Sequence, residues 1–170
     1  NTPLQIGDTI YTCTPTSKVI ALDADTGKER WSYDSRPANT KTWNRCRGVG
    51  YYEPATVDKP FRFEGMQAAG APQAGACAKR IVQVTMDARL IEIDAQTGKL
   101  CEDFGDKGSV DLMTGLGKVR ANVPYYAYTS APTIARNLII LGGWVFDGRS
   151  IDEPSGVVRA YSADTGELVW

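Results

Sequence analysis

The sequence predicts an all-β fold of repeated sheet units, on three observations. A cassette built around a Thr-Gly pair occurs three times, each copy follows a further strand-like run, and no segment has a convincing helical period. Aligned on the glycine, the copies read VIALDADTGKERW around Gly27, LIEIDAQTGKLCEDF around Gly98 and VRAYSADTGELVW around Gly166, spaced 71 and 68 residues apart.

The elements follow in order. Val19, Leu90 and Val158 stand eight residues before the three glycines, Leu22, Ile93 and Tyr161 five before, and Ala24, Ala95 and Ala163 three before. Such a run is a strand entering a tight turn, in which glycine takes the positive φ that a side chain resists. Trp31 and Trp170 follow their glycines by four residues. A large flat ring at one fixed place per repeat is suited to sealing one sheet against the next. The middle copy has Glu102 at that place, so Phe104 is expected to substitute. A preceding strand is expected within IGDTIYTCT (6–14), RIVQVTM (80–86) and APTIARNLIILGG (131–143).

Between these units lie two irregular stretches, read as inserted loops at about 54–79 and about 103–128. The first is rich in Ala, Gly and Pro. The second carries Tyr125, Tyr126 and Tyr128, read as the packed base of a loop in preference to a substrate wall. Insertions in repeat folds commonly decorate one face, and that is the expectation here.

Composition narrows the function classes. The formal net charge of −1 over 170 residues gives no electrostatic basis for nucleic acid as a partner. No run of 18 apolar residues and no signal-peptide pattern is present, so the segment is expected to be soluble, with membrane attachment only through segments outside it. The chain contains no histidine, which removes Ser-His-Asp and Cys-His catalysis from this segment. Gly142-Gly143 lacks the signature of a phosphate loop.

Four cysteines, Cys13, Cys46, Cys77 and Cys101, include no C-x-x-C pair and suit disulfides in an oxidising compartment; the alternative is four buried thiols. Three pairings are open. Cys46 with Cys77, tying down the 54–79 insertion, and Cys13 with Cys101 are the expected ones.

The cassette resembles the tryptophan-docking repeat of quinoprotein dehydrogenases, A-x-D-x-x-T-G-x-x-x-W, which builds four-stranded β-propeller blades. Ordinary blades run about 40–45 residues, so spacings near 70 imply long inserted loops, and about three blades imply a fragment of one larger pyrroloquinoline quinone (PQQ)-binding propeller domain spanning 1–170. Further likeness lies in CRGVGYYE (46–53), TSAP (129–132) and GVVRAYSADTGELVW at the end. In order and in register, these segments resemble the membrane-bound PQQ dehydrogenases of the glucose, quinate and shikimate family.

That resemblance implies PQQ with Ca or Mg as cofactors, a metal-assisted hydride transfer from an alcohol carbon to the quinone, ubiquinone as electron acceptor through the full-length protein, and a location on the periplasmic side of the bacterial inner membrane. It places Arg47 of CRG and Thr129 of TSAP on the cofactor, lines the cofactor with Gly143, Trp144 and Val145 of GGWVFDG, and makes Asp147 the metal ligand. The catalytic base, a cofactor-contacting Lys and a ring-stacking Trp would lie downstream, so the fragment by itself is expected to be inactive. Glucose-oxidising members carry a histidine shortly before C-R-G, where this chain has TKTWNRCRG with Trp43, Asn44 and Arg45. This departure favours quinate, shikimate or another cyclic polyol over glucose, with Arg45 attracting a substrate carboxylate. A noncatalytic propeller scaffold that binds protein partners is the rival reading.

Overall fold

The computed structural model describes residues 1–37, 45–62, 64–65, 75–117, 126–145, 148, 151 and 153–170. The first sheet is an antiparallel meander of β1 (Leu4–Ile6), β2 (Thr9–Cys13), β3 (Lys18–Asp23) and β4 (Glu29–Asp34). The second repeats that order with β5 (Gly50–Tyr52), β6 (Arg80–Val84), β7 (Arg89–Asp94) and β8 (Ser109–Asp111). Next come β9 (Tyr126–Ala127), β10 (Thr133–Ala135), β11 (Leu138–Gly142), β12 (Trp144–Val145) and β13 (Val158–Ser162). A third sheet runs β10-β11-β13, and β9 pairs with β12 as a separate ribbon. One 3-10 turn, Pro54–Thr56, is the sole helical element among the described residues.

The second sheet is buried on both faces, so that every residue of β6 and all of β7 but Arg89 are buried, including the polar Arg80, Gln83, Glu92 and Asp94. Ile81, Ile91 and Ile93 pack toward the first sheet with Tyr11, Val19 and Ala21. Val82, Val84 and Leu90 face the third with Ile139, Leu141 and Tyr161. The alternation of a pleated strand thus serves two cores at once.

Each Thr-Gly cassette folds alike. Gly27, Gly98 and Gly166 have φ of 69°, 73° and 81° and donate to the carbonyls of Asp23, Asp94 and Ser162. The Asp23 and Asp94 carboxylates accept from the N–H and hydroxyl of Thr26 and Thr97, while the Ser162 hydroxyl accepts the N–H groups of Asp164 and Thr165. Glycine is required for a second reason at Gly98: a Cβ there would lie 2.7 Å from the Trp31 indole. Trp31 Nε1 also donates to the Ala95 carbonyl at 3.0 Å, which accepts the Tyr11 hydroxyl at the same distance.

Between the second and third sheets the expected substitution by Phe104 does not occur. Phe104 is fully buried in the core shared with Tyr161 and Ala163, and the surface of Gly166 is covered instead by the Val110 side chain and the Gly105 backbone. Gly105 N–H donates to the Thr165 carbonyl at 3.0 Å. Backbone packed on backbone needs no indole. The stretch read as a loop from 103 also contains β8, the outer strand of the second sheet, and ends in β9.

The disulfides are Cys13–Cys46 and Cys77–Cys101, with Cα separations of 5.9 and 5.7 Å. The pairing expected from the sequence is therefore wrong, and the meander explains why. Cys13 ends β2, whereas Cys101 follows the Thr-Gly turn, so the two lie at opposite ends of their sheets and cannot approach bonding distance.

The meander also sorts the connections into two ends. Ala24, Ala95 and Ala163 of the Thr-Gly turns donate to the carbonyls of Asp8, Lys79 and Asn137. The connection from β5 to β6 therefore leaves and returns at the Thr-Gly end, where its described Phe61 exchanges hydrogen bonds with the Asn137 side chain. The connection from β8 to β10 leaves and returns at the other end.

Charged groups also lie buried between the second and third sheets. Glu92, fully buried on β7, accepts from Arg80 Nη1 at 2.7 Å, while Arg80 Nη2 binds Asp103 at 2.6 Å. The second Glu92 oxygen, Oε1, has no hydrogen-bond partner among the described residues. Burial pushes the Glu92 carboxyl up to about 8, against the opposing pull of Arg80 and with Asp103 and Asp164 adding to the rise.

Two predictions follow from the packing. Trp31→Ala is expected to cost about 2–3 kcal/mol and Gly98→Ala about 2 kcal/mol. In the double variant the alanine meets no indole, so a double-mutant cycle on unfolding of the full-length protein should return a coupling of about 1 kcal/mol; strict additivity would refute the contact. For Glu92, a pKa raised on folding contributes stability that is complete below its ordinary value of 4.5 and lost as pH rises through about 8. The unfolding midpoint should fall more steeply across that window in the native protein than in Glu92→Gln; equal slopes would count against the shift.

Candidate functional site

The segments carrying the candidate residues lie at the end of the sheets opposite the Thr-Gly turns. Arg45–Val49 leads into β5 and Thr129–Pro132 into β10. The connection that follows β11 starts from the same end. The Cys13–Cys46 disulfide ties the residue before Arg47 to the end of β2, and the Arg47 carbonyl accepts the Thr2 N–H at 2.8 Å. This short coil is thus anchored on two sides.

Close packing brings the first two segments together. A Cβ on Gly48 would lie 3.1 Å from the Ala131 Cβ, and one on Gly50 would lie 3.1 Å from Ile134 and 3.3 Å from the Pro132 carbonyl. Small residues here let the CRG coil run against TSAP. Arg47 and Arg45 are exposed and Thr129 is half-buried. Among the described residues no ion pair engages the Arg47 guanidinium.

The third segment joins through the β9–β12 ribbon, in which Trp144 pairs with Ala127 and Val145 with Tyr126. Gly143 lies against the Tyr126 phenol so closely that a Cβ would overlap its hydroxyl. Trp144 is 40% exposed, whereas Val145 packs on the core between the second and third sheets. Tyr126 and Tyr128 are buried, their hydroxyls 2.9 Å apart and their rings edge-on. They are packed residues, as their sequence context suggested. Burial, reinforced by the hydrogen bond to Tyr126, pushes the Tyr128 phenol far above its ordinary value, so it stays protonated.

Asp147, Trp43, Asn44 and Tyr125 lie outside the described residues. Of the sequence-derived candidates, Arg47, Thr129, Gly143, Trp144 and Val145 come from segments that meet at one end, and Arg45 adjoins them. Arg47 offers a forked guanidinium and Thr129 a half-buried hydroxyl, while Trp144 is 40% exposed.

Polar groups beside this end were not legible as such. Gln83 Nε2 and the Ser35 hydroxyl both donate to the Ser17 carbonyl, at 2.6 and 2.8 Å, and Arg89 Nη2 donates to the Ser35 carbonyl at 2.8 Å. Ser17 and Gln83 are fully buried between the first and second sheets. A glutamine inside the apolar run RIVQV was the one available signal.

Comparison with known proteins identifies the family. The family model described as PQQ glucose/ethanol/alcohol dehydrogenase, β-propeller domain, matches residues 1–170. The quinate/shikimate dehydrogenase (quinone) of Acinetobacter baylyi is 39% identical over 99% of this chain and 21% of its own length. The quinoprotein glucose dehydrogenase of Escherichia coli is 37% identical over 99% of this chain and 20% of its own length. Among solved structures, quinohemoprotein alcohol dehydrogenase from Comamonas testosteroni superposes with a TM-score of 0.67 at 22% identity, covering 99% of this chain and 20% of that one, a likeness of fold. The chain thus spans about a fifth of the length of the curated relatives it matches. With three docking cassettes in register and its whole length matched, the chain belongs to the PQQ-dependent glucose/ethanol/alcohol dehydrogenase family, in the family's β-propeller domain.

Proposed function

We propose that this chain forms part of the PQQ-binding wall of a quinone-dependent dehydrogenase that oxidises a cyclic polyol or sugar, quinate or shikimate in preference to glucose, and passes electrons to ubiquinone on the periplasmic side of the membrane. The observation that carries this reading is the meeting of the CRG, TSAP and GGWV segments at one end of the sheets, in a chain matched throughout by a PQQ dehydrogenase model. The relatives named for quinate/shikimate and for glucose, at 39% and 37% identity, support the substrate class.

Arg47 holds a PQQ carboxylate through its fork of donors, Thr129 donates its hydroxyl to a cofactor oxygen, and Gly143, Trp144 and Val145 line the cofactor. Asp147 supplies one carboxylate oxygen to a Ca or Mg ion, which needs further oxygen ligands from elsewhere in the protein. Bound PQQ supplies the ortho-quinone that accepts hydride. The residues of this chain bind and orient; none of them is assigned as the base.

The test uses the full-length apoprotein titrated with PQQ in the presence of Ca or Mg, followed by quinone absorbance and dye reduction. Arg47→Ala should weaken PQQ binding by about 10- to 100-fold, since loss of a charge-assisted hydrogen bond costs about 1.5–3 kcal/mol. Failure of the unaltered protein to bind PQQ would leave the scaffold reading in its place.

Substrate choice is tested separately. Arg45 is exposed and adjoins the disulfide-anchored coil, so Arg45→Ala should raise KM for quinate, an anion, while turnover of neutral glucose changes little. Indifference of quinate turnover to the substitution would remove Arg45 from the site.

A further inference from the structure

The ribbon that joins TSAP to GGWV is short for its task. Strands β9 and β12 have two residues each, and a two-stranded pair of that length has little stability of its own. What fixes it is side-chain packing. The Tyr126 ring, 3% exposed, lies in the core with Ile139, Leu141 and Tyr161. Its hydroxyl meets that of fully buried Tyr128 at 2.9 Å, and the two rings stand at 84° with centroids 5.1 Å apart. The outer part of the same phenol occupies the space that any side chain on residue 143 would need.

This arrangement links both flanks of the candidate site. Thr129 directly follows Tyr128 in the chain, while Gly143 directly precedes the two residues of β12. Moving the Tyr126 phenol would therefore shift the Gly143–Val145 wall relative to the Thr129 hydroxyl. A buried hydroxyl pair is a sharp constraint, because removing either member leaves the other without a partner in an apolar core.

We infer that Tyr126 is a positioning residue for the PQQ pocket: its phenol, held by Tyr128 and seated on Gly143, sets the distance between the Thr129 side and the Gly143–Val145 side. The inference rests on the PQQ-wall reading above. Tyr126 acts through its neighbours and touches no reacting atom.

The experiment measures PQQ affinity and the absorption spectrum of the bound cofactor in the full-length apoprotein, with Arg47→Ala as the reference variant. Tyr126→Phe keeps the ring but leaves the Tyr128 hydroxyl without its partner, so it should lower the apoprotein unfolding midpoint somewhat, and the positioning role is read from PQQ binding weakened about fivefold and a shifted quinone band. Gly143→Ala should weaken binding more, by forcing the phenol aside. Adding Tyr126→Leu to Gly143→Ala should recover part of that loss, although Tyr126→Leu alone weakens binding; such reversal of sign is the signature of two groups competing for one space. If Arg47→Ala weakens binding while Tyr126→Phe leaves affinity and spectrum unaltered, or if the Gly143 and Tyr126 effects simply add, the positioning role is refuted and the PQQ wall stands. If Arg47→Ala and Thr129→Ala also leave binding unaltered, the PQQ-wall reading itself fails, and the inference with it.

Discussion

The indole of Trp31 lies on the bare α-carbon of Gly98, and much of the structure depends on sheets meeting at contacts of this kind. A pleated sheet with two apolar faces gains by covering both, and the strand alternation of β6 and β7 divides their side chains between two cores. Sheets stack closely only where the turn at the junction offers a flat surface. Glycine provides it twice over, through a positive φ and the absence of a Cβ. The second junction meets the same requirement differently, with the backbone of Gly105 and the side chain of Val110 resting on Gly166.

Such stacking places polar side chains between sheets, where each must find partners. Arg80 is shared by Glu92, Asp103 and the Cys77 carbonyl, so its guanidinium is well supplied with acceptors, while Glu92 Oε1 has none among the described residues. Removal of one member of so buried a pair costs more than the pair contributes. Both the Cys77–Cys101 disulfide and this charged cluster brace the Thr-Gly end, which also receives the long 53–79 connection. The opposite end is braced by Cys13–Cys46 and by the Ser17 carbonyl with its two donors. Rigid sheets with a disulfide at either end make a scaffold on which short coils such as Arg45–Val49 can be held in place.

Legibility followed the chemistry of each residue. Glycine at a positive φ, Asp closing a turn onto a Thr three residues on, and Trp after the turn have strong local requirements, so the three cassettes could be read directly. Strand candidates were legible in the same way, although 6–14 and 131–143 each proved to contain a turn, at Gly7-Asp8 and Arg136-Asn137. Phe104 was a reasonable stand-in for tryptophan by type, yet its burial among Tyr161 and Ala163 was worth more than exposure on a turn. Candidate cofactor residues were found by resemblance of CRG, TSAP and GGWV to a family. That their segments touch became visible only through Gly48, Gly50 and Gly143, whose missing side chains let the coils approach.

By itself the sequence determined the all-β repeat, the Thr-Gly turns and the family to which the chain belongs, because these rest on local backbone preferences and on motifs in fixed order. Only the tertiary structure decided which cysteines pair, which end of the sheets each insertion joins, and that Tyr126 fills the space beside Gly143. Those outcomes depend on the direction in which each strand of the meander runs and on which sheet face meets which, and contacts between residues far apart in the chain leave no local pattern to read.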